Sequence, residues 1–61
     1  MKNVSCDLDK NIYEVFRMYL KKMSVNYEAS QCYDKIHVEV IASQSQIVEL
    51  NAIIDYLYDT L

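Results

Sequence analysis

The sequence predicts an α+β domain, a two-layer sandwich in which two helices pack on one face of a small antiparallel sheet. Three observations carry this reading. Two stretches repeat apolar residues at helical spacing. Two shorter stretches between them alternate apolar with polar residues. Ser43-Gln44-Ser45-Gln46 matches a capping box, the side-chain signature of a helix start. With 61 residues the chain forms one small domain, residues 1–61, with room for two helices and two or three strands.

Residues 2–6 read as a short strand with Val4 and Cys6 on one face. Asp7 or Asp9 then offers an N-cap, with acidic residues suited to the positive start of a helix. Residues 10–23 form the first helix. At helical spacing Ile12, Val15, Phe16, Tyr19, Leu20 and Met23 fall within about 140° of arc, opposite Glu14, Arg17, Met18 and Lys21. Residues 24–30 alternate, with Val25, Tyr27 and Ala29 on one side, and residues 35–42 alternate again through Ile36, Val38, Val40 and Ala42. Gln31-Cys32-Tyr33-Asp34 supplies the turn between them, so the pair reads as a hairpin with one buried face. The second helix follows over 44–60, its core stripe marked by Ile47, Leu50, Ile54, Leu57, Tyr58 and Leu61.

If the N-terminal strand exists the order is β-α-β-β-α, with the first and second strands flanking the third. That topology resembles a ferredoxin-like fold lacking its last strand. Without the strand the order is α-β-β-α. A likeness at the level of topology carries no function.

Composition narrows the functional classes. Apolar residues make up 52% and charged residues 25%, as in a globular chain rather than a disordered one. No apolar run is long enough for a transmembrane helix or a signal-peptide core, so the chain reads as cytoplasmic. Asn3-Val4-Ser5 matches the glycosylation sequon but carries no weight without a secretion signal. Cys6 and Cys32 read as free thiols, with a single disulfide as the alternative. Gly and Pro are absent and the commonest residues are ones whose codons are rich in A and T, which points to a low-GC bacterium or its phage. Turns must therefore use Asn, Asp, Ser and Gln, without the residue that takes positive φ most cheaply.

All six basic residues lie within positions 1–35. After Lys35 the charged residues are Glu39, Glu49, Asp55 and Asp59, so the C-terminal half is purely acidic and unsuited to nucleic-acid phosphates. Arg17, Lys21 and Lys22 on the first helix are the only cluster suited to phosphates, a weak nucleic-acid alternative. Glu28, His37 and Glu39 share the polar face of the hairpin and read as a solvated surface with a cross-strand His–Glu pair, not as a metal site. No motif supplies a nucleophile, a paired acid and base or a cofactor cradle, so no catalytic residue, cofactor or metal is assigned.

The second helix is apolar on two sides. Beside its core stripe, Val48, Ala52 and Tyr56 recur every four residues, next to the polar line of Asp55 and Asp59. Six tyrosines in so short a chain add to this, and Tyr13, Tyr33 and Tyr56 fall outside the core arcs. The expected function is a non-catalytic protein-interaction module, an inhibitor or accessory protein binding a larger protein through an acid-rimmed apolar helix face. The expected contact residues are Val48, Ala52, Asp55, Tyr56 and Asp59, then Tyr13 and Tyr33. The alternative is a structural homodimer joined through a strand edge or the open sheet face.

Overall fold

A computed structural model describes residues 1–61 as β1 (Lys2–Asp9), α1 (Lys10–Lys22), β2 (Asn26–Cys32), β3 (Lys35–Ala42) and α2 (Gln44–Thr60). The three strands form one antiparallel sheet in the order β1-β3-β2. The N-terminal strand therefore exists, and the first and second strands flank the third, as the β-α-β-β-α alternative requires.

β1 is longer than residues 2–6. It pairs with β3 from Lys2 opposite Ala42 to Asp9 opposite Lys35, because Leu8 continues the even-numbered apolar face and is almost wholly buried. Asp7 is thus a strand residue. Asp9 is the N-cap of α1 but makes no side-chain cap bond, since its carboxylate is held by Lys35 Nζ.

The core is purely apolar. Leu8, Ile12, Phe16, Leu20, Val38, Val40, Ala42, Ile47, Leu50 and Leu57 are buried, and no buried side-chain polar atom lacks a partner. Even-numbered residues of β1 and β3 face the helices, and burial of the core stabilises the fold by about 1.5–3 kcal/mol for each large apolar side chain. On α1 the expected arc narrows to Ile12, Phe16 and Leu20, with Val15, Tyr19 and Met23 half-buried at its margins.

β2 lies two residues later than the alternation predicts. After the C-cap Met23 the chain turns through Ser24 at φ 57°, the N–H of Ser24 donates to Lys21 O and that of Val25 to Leu20 O. This is a Schellman closure with serine where glycine is usual, and it consumes Ser24 and Val25. The hairpin loop is correspondingly shorter, Tyr33–Asp34, with Tyr33 at φ 60°. Positive φ at the first loop position alone is the type II′ pattern, again without glycine.

α2 starts as expected. Gln46 N–H donates to Ser43 Oγ at 3.3 Å, and Ser43 N–H donates to Gln46 Oε1 at 3.0 Å. Its core stripe is shorter than the spacing predicts. Tyr58 and Leu61 are exposed, because Tyr58 sits on the flank above the free edge of β1 and Leu61 lies beyond the last helical turn. No helix is long and apolar enough to cross a membrane.

Candidate functional site

With Ile47, Leu50 and Leu57 turned to the core, helical spacing puts Val48, Ala52, Asp55, Tyr56 and Asp59 on the outward side of α2. All five are exposed, Val48 at 58% and Tyr56 at 61%. The line from Val48 to Tyr56 spans eight residues, about 12 Å along the helix axis.

Charge on α2 runs against its dipole. The first turn holds no acid and the last turn no base, while Asp55 and Asp59 stand near the negative C-terminal end. Helix stability therefore does not account for these acids.

The tyrosines divide into two groups. Tyr33 is 93% exposed at the tip of the β2–β3 hairpin. That tip shares an end of the molecule with the C-terminal turn of α2: Lys35, which follows the loop, is tied to Asp9, whose backbone N–H donates to Tyr58 Oη at 3.2 Å. Tyr33 and Tyr58 thus lie at the same end of the molecule, the end at which α2 finishes with Asp55, Tyr56 and Asp59. Tyr58 is the residue that spacing hid, because the helical wheel counted it as core. Its signal was the alternation Tyr56-Leu57-Tyr58, which only one face of a helix can bury. Tyr13, in contrast, is half-buried against the core on α1, and burial pushes its phenol up, with Tyr27 adding to the effect.

The open face of the sheet carries Asp7, Glu28, His37 and Glu39. Glu28 stands directly opposite Glu39, and His37 lies between Ser30 on β2 and Asp7 on β1. The cross-strand partner of His37 is therefore Asp7, at 2.7 Å from Nδ1, rather than Glu28; Nε2 lies 3.4 Å from Glu39 Oε1. The hydrogen bond to Asp7, helped by Glu39, holds the imidazole above its ordinary pKa against a smaller opposing effect of desolvation. No trio of His, Cys, Asp or Glu is arranged to hold a metal ion. Both cysteines are free: Cys32 is exposed, and half-burial beside Asp7 pushes the Cys6 thiol up.

Arg17 pairs with Glu14 at 3.5 Å, and Lys21 and Lys22 occupy the last turn of α1, where the helix dipole favours cations. Comparison with protein-family models, with curated proteins and with solved structures finds no match, so the geometry of these surfaces carries the functional reading.

Proposed function

We propose that the chain is a non-catalytic protein-interaction module, an inhibitor or accessory protein that binds a larger protein through the outward side of α2. One observation carries the reading: α2 presents Val48, Ala52 and Tyr56 to solvent beside acids placed where they oppose the helix dipole. Neither the apolar line nor the acids serve the fold, so both are free to serve a partner. Tyrosine at such a surface buries area at low entropy cost and keeps a polar tip. The matching surface on the larger protein is apolar at its centre and basic at its rim.

Asp59→Lys tests this with opposite signs on two readouts. It relieves the unfavourable dipole contact and adds an i,i+4 pair with Asp55, so the fold gains stability, while the acid rim is lost and partner binding falls. A variant that gains stability and binds a partner captured from the native host as well as the wild type does refutes the assignment of the rim.

A further inference from the structure

We propose that the helix layer packs against the helix layer of a second copy about a two-fold axis parallel to the helices, so that α1 of each copy covers the outward side of α2 of the other. This rests on the reading of α2 as a contact surface, and it makes the second copy a competitor of the larger protein for that surface.

The two helices are oppositely charged. α1 carries four bases, Lys10, Arg17, Lys21 and Lys22, against the single acid Glu14, a net +3; α2 carries the acids Glu49, Asp55 and Asp59 and no base, a net −3. Glu14 is already paired with Arg17. Lys10, Lys21 and Lys22 take part in no ion pair within the chain, and neither do the three acids of α2. All six are exposed, and helical spacing sets them within about 70° of the direction opposite the buried line of their own helix. The free bases and the free acids therefore face the same way, out of the helix layer and away from the sheet.

The outward side of α1 also has an apolar centre. Met18 is 65% exposed there, and a shallow groove of about 290 Å³ runs beside it, lined by Val15, Met18, Tyr19 and Lys22. An apolar centre with a basic rim is what α2 requires of a partner, and α1 supplies it.

The axial register agrees with this. β1 and β3 are antiparallel and each helix doubles back on its strand, so α1 and α2 run antiparallel, with the end of α2 fixed beside the start of α1 by the Asp9–Tyr58 bond. A two-fold axis along the helices keeps every residue at its own height. Counted from that bond at about 1.5 Å per residue, Met18 stands about 13 Å along α1. It falls between Ala52, at about 9 Å, and Val48, at about 15 Å, on α2 of the other copy. Lys10 falls at the height of Asp55 and Asp59, and Lys22 within side-chain reach of Glu49. Lys10 at the start of α1 and Asp59 at the end of α2 each oppose the dipole of their own helix, and the contact sets one against the other. A two-fold axis across the helices would instead stack α1 on α1 and α2 on α2, like charge on like, so charge selects the first arrangement.

Sedimentation over a concentration series is the test, with circular dichroism as the check on folding. The wild type is expected at twice the 7.2 kDa chain mass. Two double variants, Lys10→Glu with Lys22→Glu and Glu49→Lys with Asp59→Lys, are each expected to sediment as folded single chains. Their equimolar mixture is expected to regain the dimer, because it sets a reversed α1 on a reversed α2 and a native α1 on a native α2. Should either variant misfold, Met18→Cys and Ala52→Cys chains, each in a Cys6→Ser, Cys32→Ser background, are mixed and oxidised. The expected disulfide joins position 18 to position 52; 18–18 and 52–52 products in its place overturn the proposal. So does a wild type that sediments as one chain up to millimolar concentration, a dimer that survives both charge reversals, or a mixture of the two variants that stays apart. Capture of a larger protein by a wild type that is a single chain refutes the second copy alone; a charge-dependent dimer that captures nothing refutes the larger protein alone.

Discussion

Replacing Ser24 and Tyr33 by glycine separates what the fold needs from what the surface does. Both residues hold positive φ, at 57° and 60°, in a chain without glycine. A side chain in the left-handed region costs about 1–2 kcal/mol, and glycine gives back about 0.5–1 kcal/mol through its freer unfolded state. The net gain is about 0.5–1 kcal/mol for each substitution. At 61 residues the unfolding entropy near the midpoint is about 130 cal/mol/K, so each change raises Tm by about 4–8 °C. The structure sharpens the expectation at Ser24, where the Schellman bonds of Ser24 and Val25 are made by backbone groups and survive the change. Tyr33 is 93% exposed, so its removal forfeits almost no burial. Thermal melts followed by circular dichroism measure both. If neither variant is more stable, positive φ is not strained at these positions and the reasoning fails. If Tyr33 also contacts a partner, Tyr33→Gly loses binding while Ser24→Gly keeps it, a trade of stability against function.

Three further outcomes follow from the polar contacts. His37 has a folded pKa raised above 6.5 by Asp7 and Glu39, so its stabilising effect is complete below pH 6.5 and is lost as pH rises through the folded value; His37→Asn should flatten this part of the Tm–pH curve, and an unchanged slope would remove His37 as its source. Ser43→Ala breaks the capping box and should cost about 1 kcal/mol in denaturant unfolding, whereas a loss near zero would show that water caps α2 equally well. Tyr58→Phe removes the acceptor for the Asp9 N–H; amide exchange at Asp9 should speed up with the rest of β1 unchanged, and unaltered exchange would contradict the bond.

Much of the fold was legible because burial imposes a period. The alternation Ile36, Val38, Val40 and Ala42 marks β3 to the residue, and the Ser43–Gln46 box marks the start of α2. What misled was local chemistry that competes with the pattern. Asp7 and Asp9 read as caps, yet Leu8 between them prolongs β1, and Asp9 spends its carboxylate on Lys35. Val25 alternates with Tyr27, yet closure of α1 uses it, a role that glycine at position 24 would have announced. Tyr58 fits the helical stripe, but no strand lies outside β1 to cover it. The candidate site was legible in part. Spacing alone separates Val48, Ala52 and Tyr56 from the core stripe, whereas the placement of Tyr33 at the same end as Tyr58 depends on the pairing of β1 with β3 and on the Asp9–Tyr58 bond.

We propose the outward side of α2 as the protein-contact surface. Affinity capture from the native host, quantified by mass spectrometry with the wild type and Tyr56→Asp as paired baits, tests it most directly. The expected result is a protein enriched by the wild type and lost from Tyr56→Asp, with the circular dichroism spectrum of the variant unchanged. Equal enrichment by both baits, or none by the wild type, would contradict the claim.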